Sequence, residues 1–389
     1  MPGQWQYSVN QDQRIGLSDT ETFQINLSKA NFTSEVDLKI QVTNGATSNT
    51  AATQVQPATV LDGTLRIEIL ANGGGVKNYR GYECVKWAHF LRGAKPSADQ
   101  TQLGAALQQQ FFPIYFGRHF GDELCMLPSK LYKTLVLKVQ TTYPISLTAG
   151  FLGLSEKEDV YELEYISDDD PSSKIILREL EVIQYTSSAT TGESRVPQGG
   201  LPLGNLITKV LLHEYQSSTS PSQDGSDYPY VRLGINNFSE IPIGLTRWQN
   251  MQDKNKLDYG LPVDEYSCLL YTATAVAHPT RVSRITSISL TAQAAIGNAP
   301  VTTGATVGDQ INTIVTATGP THCLAKSAAG VSFAILLDTD PLSNFAGGIK
   351  SSNVNSVDLA VTAGATNSSL SLLVVSMQEA IIIPVQSTT

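Results

Sequence analysis

The sequence predicts an all-β fold built as two tandem eight-stranded antiparallel barrels with short helices in the loops. Three observations lead there. Apolar and polar residues alternate with a period of two in segment after segment, and turn-forming residues punctuate those segments at short intervals. A strand-loop-strand arrangement, QQQFFPIYFGRHFGDELCMLPSKLYKTLVLKV from Gln108 to Val139, also returns near the C-terminus. There VSFAILLD (Val331 to Asp338) leads through PLSNFAGGIKSSN to an alternating segment at Val357, Leu359 and Val361. At 389 residues the chain exceeds one ordinary core and suits two domains of roughly 190 residues each.

Taken in order, residues 1–19 read as a polar N-terminal arm carrying Trp5 and Tyr7, either ordered to reach a neighbour or a membrane face or a loosely held terminus. The first barrel is expected over 20–190. Its strands begin with the alternations Phe23-Ile25-Leu27, Val36-Leu38-Ile40-Val42 and Leu65-Ile67-Ile69, the last ending at the turn Asn72-Gly73-Gly74-Gly75. That glycine run lacks the following Lys-Ser/Thr and helix of a phosphate cradle. Leu103 and Leu107, with Ala105 and Ala106 beside them, predict a short helix over Ala98 to Gln110. Further strands are expected at Phe111 to Phe116, Thr134 to Gln140, Ser146 to Leu152, Tyr161 to Ile166 and Ile175 to Tyr185.

A linker over 191–204, within TSSATTGESRVPQGGLPLG, separates this barrel from the second at 205–389. The second is expected to use Leu206 to Tyr215, Tyr230 to Ile235, Ile241 to Leu245, Tyr266 to Val276 and Ile285 to Ala292, with a short helix or excursion over Thr246 to Tyr259. A Thr/Ala/Gly-rich surface insertion near 292–330 carries one strand around Gln310 to Thr316. Strands at Val331, Asn355 and Leu370 close the barrel, and Ala380 to Val385 supplies a last strand or an apolar tail for a neighbour.

Charged residues make up only 16% of the chain, against about 25% in ordinary soluble domains. Such depletion marks surface that becomes buried between subunits, so an assembling protein fits better than a lone soluble enzyme. The net charge of -9, without a Lys/Arg cluster, argues against direct nucleic-acid binding. Cys84, Cys125, Cys268 and Cys323 lack CxxC spacing and read as free thiols buried in a reducing compartment. No secretory signal opens the sequence, and the longest apolar runs fall short of the roughly 20 residues of a spanning helix.

No residue earns a catalytic, cofactor-binding or metal-binding role. His89, His119, His213, His278 and His322 stand singly, and the adjacent pair His322-Cys323 has no second pair at ligand spacing. Asp168-Asp169-Asp170-Pro171 could offer carboxylates to a hard cation, but reads as a solvated turn. Glu162 and Glu164, alternating with Tyr161, Leu163 and Tyr165, are expected on the outer, solvated face of their strand. Neither GxSxG nor a spaced Ser/His/Asp set is present. The reading is therefore a non-enzyme without a cofactor.

The segments FFPIYFG (Phe111 to Gly117), LPSKLYKTLVLKV (Leu127 to Val139) and FAILLDTDPLSNFAGGIKSSNVNSVDLAV (Phe333 to Val361) look like the strands and loop that cross a jelly roll late in each barrel. Set in two consecutive all-β halves, they make the chain resemble the double jelly-roll major capsid proteins. That lineage joins tectiviruses, adenovirus hexon, marine corticoviruses and the turreted icosahedral viruses of hot-spring archaea. The resemblance spans residues 20 to 385 in rhythm. It implies two tandem jelly rolls in a structural subunit of an icosahedral shell, self-assembling as pseudo-hexagonal homotrimers. The partners it implies are neighbouring trimers, minor capsid and vertex proteins and an internal lipid membrane met by the N-terminal arm, with no direct nucleic acid. The location it implies is the virion, after assembly in host cytoplasm. Two alternatives stand beside it: a viral spike or accessory virion protein, and a β-sandwich protein that binds or hydrolyses glycans. The last predicts an aromatic-lined groove with nearby carboxylates, and Trp87 and Trp248 are the only tryptophans outside the arm.

Overall fold

The structure, a computed structural model, describes residues 3–15, 20–43, 64–99, 107–142, 155–186, 192–196, 200–215, 227–272, 276–278, 284–292, 313–315, 319–363 and 372–382. The first half begins with β1 (Gln4–Ile15), β2 (Thr20–Asn26), β3 (Phe32–Thr43), β4 (Thr64–Ala71) and β5 (Gly74–Tyr79). Helix α1 (Gly81–Arg92) follows at once, then a short β6 (Ala98–Asp99), β7 (Leu107–Tyr115), β8 (Leu135–Thr142) and β9 (Ser155–Ile166). The main strands form two facing sheets, β1-β9-β3-β7 and β2-β8-β4-β5, which is the strand order of a jelly roll.

The second half uses β10 (Ile175–Thr186), β11 (Gly192–Arg195), β12 (Leu206–Tyr215), β13 (Tyr230–Ile235) and β14 (Glu240–Arg247), then helix α2 (Trp248–Asp258). An excursion follows, made of β15 (Glu265–Thr272), β16 (Val276–His278), β17 (Ile285–Ala292), β18 (Thr313–Val315) and β19 (Gly319–Ser327). The roll resumes with β20 (Ala334–Asp338), a short β21 (Ile349–Lys350), β22 (Val357–Ala363) and β23 (Leu372–Ile382). Its sheets, β10-β23-β12-β20 and β11-β22-β13-β14, repeat the permutation of the first half strand for strand.

Local chemistry repeats too. The hairpin β4–β5 turns on Asn72 and Gly73 at φ 49° and 80°, the positive-φ pair that a two-residue hairpin loop demands. The β13–β14 hairpin turns in the same place on Asn236, Asn237 and Phe238, also at positive φ. In each roll an arginine in extended conformation, Arg80 or Arg247, ends the fifth strand and starts the helix. Helix α1 stops at Gly93, whose φ of 68° and N–H bond to the His89 carbonyl make a left-handed cap.

Several expectations change. The arm expected over 1–19 contributes β1, paired along its length with β9. Ile175 to Tyr185, expected to close the first roll, instead pairs with β23 as the opening strand of the second. The rolls therefore divide between β9 and β10, and the linker expected over 191–204 holds β11. Alternation identifies a strand but not the sheet it joins, so the sequence could not assign it. The helix expected over Ala98 to Gln110 is replaced at its ends by β6 and the start of β7, with its middle outside the described residues. The helix of that region is α1, which has no polar face: Glu83 through Phe90 are all buried. The strand expected at Ser146 to Leu152 lies outside the described residues.

The two rolls share one sheet. Strand β5 pairs in parallel with β10, setting Lys77 opposite Glu179 and Asn78 opposite Leu180, so that β2-β8-β4-β5 continues into β10-β23-β12-β20. The second part of this sheet has two apolar faces. Val210, Leu212, Ile335 and Leu337 pack into the second roll, while Leu211, Ala334 and Leu336 join the core of the first. Truncating either of two neighbours, Leu211→Ala or Leu212→Ala, is expected to cost about 2–5 kcal/mol by chemical denaturation. A near-neutral result at one of them would mean that one face is solvated.

Candidate functional site: the junction and the outward sheet face

Polar groups concentrate where the rolls meet. Lys77 Nζ, with a side chain 0% exposed, stands 3.0 Å from Glu179 Oε2. Tyr79 donates to the same oxygen at 2.5 Å, Gln378 donates to Oε1 at 2.7 Å, and Thr208 donates to Gln378 at 2.9 Å. Burial pulls the Lys77 pKa down while Glu179 pushes it back up.

Helix α1 supplies the next contacts. Glu83 meets His213 Nδ1 at 2.8 Å and accepts from the Tyr215 hydroxyl at 3.1 Å. Beyond it, Lys95 donates to the fully buried Asp264 at 2.9 Å, and the Ser332 N–H donates to the other carboxylate oxygen at 3.0 Å. Burial alone would raise the Asp264 pKa, but Lys95, Lys86 and His89 outweigh it and hold the carboxyl well below its usual range. Burial pulls Lys86 down to about 8 and His89 to about 4. The loops after β7 and β20 also touch: Arg118, fixed by Asp122, donates to the Ser343 carbonyl at 2.6 Å and lies over the Phe345 ring.

The outward face of β1-β9-β3-β7 is a second concentration. Glu35 and Asp37, two apart on β3, share this face; burial first, then Asp37, raises the Glu35 pKa to about 8. The Tyr7 hydroxyl donates to Asp37 at 2.8 Å, and Arg92 stands 3.5 Å from Glu35 and 3.9 Å from the centre of the Tyr115 ring. Tyr7 stacks on Tyr161, and Trp5 on Phe120. Tyr7, Val9 and Phe120 remain 55%, 59% and 65% exposed. The sequence reading missed this pair, because two acids at i and i+2 on an alternating strand look like ordinary solvated positions.

The residues singled out from the sequence are scattered. Asp169 and Asp170 lie in a turn: Asp169 pairs with Lys174 at 3.1 Å, and Asp170 accepts from the Ser172 N–H at 2.9 Å. Glu162 and Glu164 do not face solvent. They are 2% and 6% exposed, because Glu162 stands opposite Val36 in the register and shares its inward face. Burial raises the Glu162 pKa to about 7, against the opposing pull of the Ser28 N–H that it accepts from. His322 contacts the Ser267 hydroxyl at 2.8 Å, His119 is exposed, and His89 and His213 are buried in the junction. Cys84 and Cys125 are buried free thiols, while the β15–β19 register sets Cys268 opposite Cys323. Trp87 and Trp248 are buried in the cores and line no groove. Among the described residues no three His, Cys, Asp or Glu side chains converge on a point.

No family model and no curated protein matches the chain by sequence. By structure it is similar to the crystal structure of the STIV major capsid protein, with a TM-score of 0.64 over 99% of this chain and 100% of that one at 9% identity. It is also similar to a chain of the atomic structure of Sulfolobus turreted icosahedral virus, with a TM-score of 0.60 over 98% and 92% at 11% identity. The PBCV-1 virus capsid gives 0.54 over 97% and 94% at 8% identity. These likenesses establish the double jelly-roll fold along the whole chain.

Two measurements follow from the buried groups. Lys77→Met leaves Glu179 without its ion-pair partner and should cost about 3–5 kcal/mol, while adding Glu179→Gln should recover much of that loss in denaturant titrations. The raised pKa of Glu162 means that the fold favours its protonated form. Its stabilisation is present below the ordinary glutamate pKa and lost as pH rises through about 7. Glu162→Gln should therefore melt at increasingly higher temperature than the unsubstituted protein between pH 5 and pH 8. A pH-independent difference would show that Glu162 is not the titrating group.

Proposed function

We propose that this chain is the major structural subunit of an icosahedral virus shell, assembling as trimers whose six rolls give a nearly hexagonal outline. The observation that carries the reading is the end-to-end match to the STIV major capsid protein, which takes in both rolls with almost no residue of either chain left over. Composition supports it, since a surface with few charges and exposed apolar side chains such as Leu257 and Leu342 suits contact with other subunits. Tiles of this outline close into a curved shell through symmetry-related contacts.

Neighbouring trimers are the principal partners in this reading, with minor capsid and vertex proteins at the edges of the lattice. The virion is its location, after assembly in host cytoplasm. An internal lipid layer belongs to the same reading, met by the N-terminal segment, whose Trp5 stacks on the exposed Phe120.

Mass measurement and electron microscopy of the purified protein test the proposal. Particles of three times the 41.9 kDa chain mass, or closed shells, are expected. A protein that stays monomeric at every concentration and binds or cleaves glycans would overturn it.

A further inference from the structure

We propose that Cys268 and Cys323 form a disulfide that locks the excursion between α2 and β20. The inference is independent of the shell-subunit reading and concerns a covalent modification of the chain itself.

The strand register carries it. Strands β15 and β19 pair antiparallel from Glu265 opposite Lys326 to Thr272 opposite Gly319, without a bulge, and Cys268 stands directly opposite Cys323. Neighbouring side chains hold the same alignment. Lys326 Nζ lies 2.8 Å from Glu265 Oε1, and the Ser267 hydroxyl, next in sequence to Cys268, lies 2.8 Å from Nε2 of His322, next to Cys323. Directly opposed residues of an antiparallel pair share a face and have Cα atoms about 4.5 or 5.5 Å apart. Both values fall within the roughly 4.4–6.8 Å span of a disulfide. The bond therefore forms without displacing either strand.

Its place in the fold gives the link a purpose. Among the described residues the sheet of the excursion, β15-β19-β17, has three strands. A sheet of that size has little core of its own, and the two polar contacts that flank the cysteines are exposed and contribute little. Strand β15 follows α2 and β19 precedes β20, so the bond ties the entry of the excursion to its exit. The chain between them, β16, β17 and β18 included, becomes a closed loop, which removes conformations from the unfolded state.

Cys84 and Cys125 do not compete for the pairing. They are 1% and 0% exposed and belong to separate apolar clusters. Burial pushes both thiols up, away from the reactive thiolate.

The oxidant is a small-molecule disulfide. The thiolate of one cysteine attacks it, which forms a mixed disulfide and releases one small thiol; the second cysteine then attacks the protein sulfur of that mixed disulfide and releases the other. Two cysteines are oxidised, the small disulfide is reduced to two thiols, and the protons shed by the cysteines end on those thiols. A reducing cytosol keeps such a pair open, so the lock closes in an oxidising medium.

The test uses the full chain, purified under a phosphine reductant and then incubated with oxidised glutathione. Unfolded without reductant and alkylated, the oxidised protein should label at Cys84 and Cys125 only, and the reduced protein at all four cysteines. Peptide mass spectrometry should find Cys268 joined to Cys323 in a species lighter by two hydrogens. Oxidation should also slow hydrogen exchange in residues 265–272 and 319–327. The double variant Cys268→Ser with Cys323→Ser should exchange there like the reduced protein in either buffer. Four alkylated cysteines after oxidation, glutathione left singly on either residue, a bond to Cys84, Cys125 or a second chain, or exchange that oxidation leaves unchanged would overturn the inference. None of these outcomes bears on the oligomeric state, so the shell-subunit reading stands or falls separately.

Discussion

An ammonium group shut away from water ties the two halves of this molecule together. Lys77 on β5 has one anionic partner, Glu179 on β10, and both are sealed in the middle of the shared sheet. A buried pair of this kind adds little net stability, since desolvation cancels most of the attraction. It does penalise error. Sliding β10 along β5 would strand either charge in an apolar interior at a cost of several kcal/mol. Glu83 with His213, and Lys95 with Asp264, extend the same constraint across the contact. A displaced arrangement of the rolls would leave these charges unpaired.

Everything else is a repeat with one asymmetry. Both rolls use the same strand permutation, turn their fourth hairpin strand on positive-φ asparagine, and send an arginine and a helix out of the fifth strand. In the first roll those parts are consumed within the chain. In the second, β14 keeps an unpaired outer edge among the described residues, α2 packs on its own roll through Trp248 and Met251, and the connection that follows grows into the β15–β19 excursion.

Much of this was legible in the sequence, and the reason is specific. Segments rich in β-branched, leucine and aromatic residues between turn signals stand out, so Leu206 to Tyr215, Tyr230 to Ile235 and Ile285 to Ala292 match β12, β13 and β17 to the residue. The repeated strand-loop-strand segments prove to be equivalent, β7 to β8 and β20 to β22. Failures fell where burial comes from all sides or from another roll. Helix α1 showed no stripe because none of its faces is wet, and Glu162 looked solvated because alternation gives a face but not its direction. The paired acids Glu35 and Asp37, and the assignment of β10, depend on contacts between strands far apart in the chain, which no local pattern records.

The order of strands in the shared sheet also sets a schedule for making the protein. Strand β23 lies between β10 and β12, pairing with both along most of its length. During synthesis that slot stays open until residue 382 has left the ribosome, and the second roll cannot close before then. A chain cut short of β23 keeps two naked edges and an exposed core, which marks it for proteolysis before it can be built into anything larger.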